Sequence, residues 1–151
     1  MSIWWSLHLR REAASVPLAR RLLLGTMETA GVDPDVSYEL SVALTEACAN
    51  AVEHGGAVAG RGGPVSEAYR VTAYLDGETC RIEVADSGPG FSAAPAGQRA
   101  VAADEAENGR GLRLIEELAD HVHFGRTGRG GALVSFDKII KWRPDAPLAL
   151  T

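Results

Sequence analysis

The sequence predicts an α+β two-layer sandwich, a mixed, mainly antiparallel sheet with helices on one face. Three observations carry that prediction. Strand-like tracts come as hairpins rather than in strict alternation with helices. Two amphipathic helical tracts stand side by side between the first strand and the first hairpin. A chain of 151 residues, 46% hydrophobic and 23% charged, suits one domain with a proper core. The expected order is strand, two helices, hairpin, loop, helix, hairpin. Residues 1–140 should form the domain and 141–151 a frayed tail.

Trp5 to Arg10 alternate apolar with polar residues, the period of a half-buried strand. From Pro17 to Ala30, Leu18, Leu22, Leu23, Met27 and Ala30 recur at helical spacing, and Gly31 supplies a C-terminal stop. Asp33-Pro34 reads as an N-cap followed by proline in the first turn, opening a second helix that runs to about His54. The Gly- and Ala-rich stretch from Gly55 to Pro64 is a loop. Tyr69–Leu75 and Cys80–Val84 alternate on either side of Asp76-Gly77, a pair able to supply positive backbone angles for a tight turn. Gly90 to Gly109 has no clean period and is long for a connection inside a compact domain, a length that usually marks function or disorder. Leu112 to Ala119 reads as a helix. Strands follow around His121–Phe124 and Ala132–Phe136, joined by a turn at Gly128–Gly131.

Charge and composition exclude several classes of function. With 15 Lys plus Arg against 20 Asp plus Glu, and a formal charge of -5, the chain lacks the basic excess that nucleic-acid binding needs. No uninterrupted apolar run approaches the roughly 18 residues of a membrane helix, and no basic leader precedes an apolar stretch at Met1–Trp5. Cys48 and Cys80 lie in apolar segments without a CxxC partner, which reads as small buried residues in a reducing compartment. A soluble cytoplasmic protein is expected, with no nucleic-acid and no membrane partner.

Three constellations could carry chemistry. On the second helix Glu46, Asn50 and His54 are four apart and stack in one row, with Glu46 and Asn50 at the margin of the apolar stripe Val36, Leu40, Ala43, Leu44, Ala47, Ala51. An acid and an amide at such a border could face a metal-bound polyphosphate, because Mg²⁺ prefers oxygen ligands and bridges to substrate phosphates. Read alone, the row is equally a solvated helix edge, and His54 alone is structural. After the hairpin, Asp86-Ser87-Gly88-Pro89-Gly90-Phe91 combines a carboxylate at a strand end with two glycines that permit close backbone approach. Such a carboxylate at the bottom of an apolar pocket can accept from adenine's exocyclic amine and so reject guanine, with Phe91 as a wall. A lone Asp-Gly turn is otherwise ordinary loop chemistry. Third, Asn108-Gly109-Arg110-Gly111-Leu112 opens a helix, where backbone N–H groups and the helix N-terminus form an anion site with Arg110 adding charge, or where the glycines merely turn the corner.

Together, in this order and spacing, the three resemble the boxes of the Bergerat-fold (GHKL) ATPases, the histidine kinase-like ATPase fold shared by gyrase, Hsp90, histidine kinases and MutL. Within that superfamily the chain looks like the small anti-sigma factor serine/threonine-protein kinases of bacteria. Glu46 to His54 match the family's N box, Asp86 to Gly90 its first glycine box, Ser92 to Asn108 its ATP lid and Gly109 to Leu112 its second glycine box, so the resemblance runs from Trp4 to about Phe136. One departure is Gly131-Ala132, where many relatives carry a threonine on the adenine side.

The resemblance implies an ATP- and Mg²⁺-dependent kinase that sequesters a sigma factor, phosphorylates a STAS-domain anti-anti-sigma factor and forms a homodimer. It assigns Glu46 as the catalytic carboxylate and Asn50 as the metal ligand. Asp86, Gly88, Gly90, Phe91, Gly109, Arg110, Gly111 and Leu112, with Asn50, would hold the nucleotide. The rival is a nucleotide-binding partner-switching module that sequesters a sigma factor without phosphoryl transfer. The resemblance also raises Arg20 as a partner contact and, by position, Arg99 as a lid residue near the terminal phosphate. Trp4 and Trp5, which must face opposite ways on a strand, leave at least one for the core. His121-x-His123 puts two imidazoles on one strand face, as zinc sites do, without an evident third ligand.

Overall fold

A computed structural model describes residues 2–54, 68–86, 112–126 and 131–146. Strand β1 (Ile3–Arg10) is followed by helices α1 (Ser15–Ala30) and α2 (Pro34–His54) and the hairpin β2 (Ala68–Leu75) and β3 (Thr79–Asp86). Helix α3 (112–118), β4 (His121–Arg126) and β5 (Ala132–Ile139) complete the order expected from the sequence. The strands form one five-stranded sheet in the order β1-β2-β3-β5-β4, antiparallel at every pairing.

Helix α1 begins two residues before the expected Pro17. Ser15 is buried, and its hydroxyl donates to Glu12 O at 2.7 Å, so Pro17 falls inside the first turn, where a missing N–H breaks no helical bond. The helix ends as the sequence requires. Gly31 takes the left-handed conformation at φ 92°, and the N–H groups of Gly31 and Val32 both reach back to Met27 O at 3.0 Å. Two residues on, Asp33 Oδ2 accepts from the N–H of Asp35 at 3.1 Å at the entry to α2.

The β2–β3 turn works differently from the expectation. Gly77 does not adopt positive φ; the only glycine among the described residues that does is Gly31. Instead the Asp76 carboxylate accepts from the N–H of Glu78 and of Thr79, each at 2.7 Å, while Asp76 N–H donates to Thr79 O at 3.0 Å. The aspartate closes the turn with its side chain, as Asp can in Asx-type turns, and leaves glycine's extra freedom unused.

Cross-strand partners share a face. One face carries Leu7, Val71, Val84 and Val134 in one row and Trp5, Ala73, Ile82 and Phe136 in the next. These pack with Leu23 and Met27 of α1 and Leu40, Leu44 and Cys48 of α2 in a single core. Helix α1 lies over β1, and α2 over β2 and β3. Trp5 packs against this core and its indole N–H donates to Thr26 at 3.1 Å, whereas Trp4, on the opposite face, is 60% exposed. Both cysteines are free and buried, and burial pushes each thiol up to about 12. Among the described residues no helix is long and apolar enough to cross a membrane.

The described part of the tail is held in place. Val32 and Trp142 form a β-bridge, Arg143 N–H donates to Gly31 O at 2.8 Å, and Ala146 is fully buried.

Candidate functional site

The strand ends Ala68, Asp86, Arg126 and Ala132 all lie at one end of the sheet. Strands β3 and β4 finish there, and β2 and β5 start there. Asp86, the last residue of β3, is 5% exposed and stands opposite Tyr69 in register, so it faces the helices. A carboxylate rarely occupies such a place without a reason beyond packing, since burying its charge is costly.

Helix α2 brings its C-terminal half over the same end. Tyr69, fully buried, shares a 2.6 Å hydrogen bond with Ser15 of α1 and a further one with Cys48 of α2. Burial pushes the Tyr69 phenol up to about 12, so it stays protonated as a member of this pair of bonds. The contact also fixes the roll of α2, because Cys48 looks toward β2 and α1. Glu46 and Asn50, two residues to either side, lie on the opposite flank of the helix and are partly exposed.

A second contact shows what that flank faces. Glu39, seven residues before Glu46 and in the same row, approaches Lys138 Nζ of β5 at 3.7 Å, and the same ammonium donates to Leu118 O at the end of α3 at 2.7 Å. The row Glu39, Glu46, Asn50 therefore runs along the side of α2 turned to β5 and α3. The partly exposed edge of this amphipathic helix thus faces the β5 and α3 side of the domain.

The structure thus brings Glu46, Asn50 and Asp86 to one end of the domain. Leu112 opens α3, half-buried against the core, with Ile115 fully buried one turn on. Gly88, Gly90, Phe91, Gly109, Arg110, Gly111 and Arg99 lie outside the described residues. Ala132 starts β5 at this same end and pairs with Arg126. Two features escaped the sequence reading. Lys138 carries no motif that marks it, and only its strand register, opposite Cys80, turns it toward α2. The bonds joining Ser15, Tyr69 and Cys48 link residues up to 54 positions apart and leave no local pattern.

His121 and His123 lie on the face opposite the helices. His121 Nδ1 is 2.8 Å from Asp137 Oδ1, and that hydrogen bond raises the imidazole's pKa above its ordinary value. Among the described residues no group of three or more His, Cys, Asp or Glu could hold a metal ion.

Comparison with known proteins places the fold. No curated protein matches the chain. Among the solved structures that share its fold are two of bacterial proteins. The RsbU and RsbW domains of Rv1364c from Mycobacterium tuberculosis superpose with a TM-score of 0.66 at 21% identity, covering 93% of this chain and 33% of that one. The chain thus spans about a third of that protein's length. The SiaB–SiaC complex from Pseudomonas aeruginosa gives 0.55 at 13% identity over 90% of this chain and 89% of that one. The histidine kinase-like ATPase domain matches residues 9–138, a span that begins within β1, ends within β5 and contains Glu46, Asn50 and Asp86, and the chain belongs to that family.

Proposed function

We propose that the protein is an anti-sigma factor with ATP-dependent protein serine kinase activity, which sequesters a sigma factor and phosphorylates a STAS-domain anti-anti-sigma factor. The observation that carries the reading is Asp86, a carboxylate buried at the end of β3 on the side covered by α2, with the Glu46–Asn50 row on the flank of that helix. Membership of an ATPase family supplies the nucleotide class. The likeness of the three boxes to the anti-sigma kinases, together with a fold shared with an RsbW domain, supports the regulatory role.

The residues present suit an adenine nucleotide with its magnesium. Asp86 offers an acceptor in a water-poor place, where an unmade hydrogen bond is expensive, so a purine carrying an amine is preferred to one carrying a carbonyl. Asn50 offers a neutral side-chain oxygen, the kind of ligand a hard cation accepts beside its waters. Gly88, Gly90, Gly109 and Gly111 allow backbone N–H groups to approach phosphates, with Arg110 adding charge and Leu112 opening the helix behind them. When bound, ATP supplies the phosphoryl group and Mg²⁺ offsets its charge. Glu46 orients the attacking serine hydroxyl or takes its proton. Chemistry of this kind depends mainly on positioning and charge stabilisation, so one carboxylate in reach suffices. The reading also includes a homodimer and a cytoplasmic location.

Incubating the purified chain with labelled ATP, Mg²⁺ and a panel of STAS-domain proteins tests it. Acid-stable phosphoserine on one of them is expected. Nucleotide binding with no transfer to any partner would leave a sequestering module, and acid-labile phosphohistidine would point to a detached sensor-kinase domain.

A further inference from the structure

Four side chains with hydrogen-bonding groups are buried at the Asp86 end, Ser15, Cys48, Tyr69 and Asp86, none more than 5% exposed. Three of them are joined in a chain whose direction follows from its last acceptor. A carbonyl oxygen can only accept, so the 2.7 Å contact of Ser15 Oγ with Glu12 O uses the hydroxyl hydrogen of Ser15. The 2.6 Å bond between Ser15 Oγ and the Tyr69 hydroxyl is then donated by the phenol. With the phenol's hydrogen on Ser15, the bond between Tyr69 and Cys48 is donated by the thiol. The hydrogens thus run one way, from Cys48 on α2 through Tyr69 on β2 and Ser15 on α1 to the backbone at Glu12. Burial pushes thiol and phenol each up to about 12, which keeps both donors protonated.

Tyr69 is also the in-register partner of Asp86, and both face the helices. Directly opposed residues on one face of an antiparallel pair stand roughly 4.5–5.5 Å apart at Cβ, so the Tyr69 ring starts beside the Asp86 carboxylate. Its far end is the part that Ser15 and Cys48 hold, from two different helices. Phenylalanine would fill nearly the same volume without that tether. A buried carboxylate distinguishes an amine from a carbonyl only while its own position is fixed and water does not take the ligand's place. A ring held by its strand at one end and by its hydroxyl at the other supplies both conditions next to Asp86.

We infer that Tyr69 is a specificity-determining residue of the nucleotide site, a positioning residue whose ring, tethered through its hydroxyl to Ser15, forms the fixed wall beside Asp86 and holds that carboxylate for adenine. The inference rests on the proposed function, which assigns Asp86 to the adenine amine, and adds a residue that lies in none of the three boxes.

Calorimetry with ATP and with GTP on the full chain tests it. The parent should prefer ATP. Tyr69→Phe, which keeps the ring and removes the tether, should weaken ATP binding about tenfold and leave GTP binding nearly unchanged, a smaller loss than the roughly 10²-fold that a 1 Å misplacement can cause. Ser15→Ala removes the phenol's acceptor and should lower the preference in the same direction, so the test survives if one variant fails to fold. Cys48→Val leaves the bonds from Tyr69 to Ser15 and from Ser15 to Glu12 in place and should keep the parent's preference. Trp142→Ala is the control for lost stability alone: its indole bonds to Gly77 O at the other end of the sheet, so melting should fall while the ATP-over-GTP ratio stays. Tyr69→Phe and Ser15→Ala chains that melt lower yet keep the parent's ratio would overturn the inference. A loss of preference in Cys48→Val as large as in Tyr69→Phe would also overturn it, because the tether would then belong to α2. A parent that binds ATP and GTP alike would sink the assignment of Asp86 to adenine itself; a discriminating parent whose variants discriminate equally would remove Tyr69 alone.

Discussion

The two ends of the sheet are built on opposite plans. At the end away from Asp86, almost every segment that passes is tied to another. Asp33 N–H donates to Lys141 O and Ile140 N–H to Glu78 O, both at 2.8 Å. The Trp142 indole donates to Gly77 O at 3.0 Å, and Asp120 Oδ2 accepts from Ile139 N–H at 2.6 Å. The junction between α1 and α2, the β2–β3 turn, the entry to β4 and the chain after β5 are thus held together by hydrogen bonds of high sequence separation. At the Asp86 end, the buried groups include three polar ones, Ser15, Tyr69 and Asp86. The closed end holds the sandwich in register, and on the proposed function the other end presents the side chains that act. Rigid scaffolds and functional loops divide their labour in this way.

If that division is right, substitutions at the two ends should separate activity from stability. The largest expected effect is at the site end. Glu46→Gln should lower phosphoryl transfer by about 10²- to 10⁴-fold, the usual worth of a general base. Its melting temperature should stay near the parent's, and unchanged transfer would remove Glu46 from the mechanism. Next, Asp86→Asn should weaken adenine nucleotide binding by roughly 10- to 100-fold by calorimetry, the scale of a hydrogen bond to a charged group. Retained affinity would move the pocket elsewhere.

At the closed end the signs should reverse. Trp142→Ala removes the bond to Gly77 O and packing against the core, and should cost about 2–3 kcal/mol in denaturant unfolding while the folded molecules bind nucleotide as before. A large fall in affinity there would break the contrast. The smallest effect concerns pH. The N–H groups of Thr79 and Glu78 hold the Asp76 carboxyl below its ordinary value. A folded pKa below the unfolded one means a contribution present above the unfolded pKa near 3.8 and lost as pH falls through the lower folded value. Asp76→Asn should therefore lose less stability than the parent on acidification below about pH 4. Equal acid sensitivity would show that the carboxylate's charge does not close the turn.

Much of the fold was legible because its signals are local. Gly31 and Asp33-Pro34 marked the α1–α2 junction through chemistry confined to a few residues, and the alternation in Tyr69–Leu75 and Cys80–Val84 marked the hairpin. Of the three boxes, the structure describes Glu46 and Asn50 of the first and Asp86 of the second, on the helix-covered side of the sheet, while the glycines lie outside the described residues. The Asp76 turn was misread because glycine's permissiveness is visible in a sequence, whereas a side chain taking over the backbone's hydrogen bonds is not.

By itself, then, the sequence determined where α1 ends and α2 begins, which tracts alternate as strands, and the residue types that suit a nucleotide. Each of these follows from the chemistry of near neighbours along the chain. Tertiary structure alone decided that β5 lies between β3 and β4, that α2 rolls so that Cys48 meets Tyr69 while Glu46 faces away, that Lys138 ties Glu39 to the end of α3, and that β1 stands at the end of the sheet among the described residues. Those outcomes depend on which distant surfaces come together when the core closes, and a hydrophobic pattern constrains the burial of a face without naming its partner.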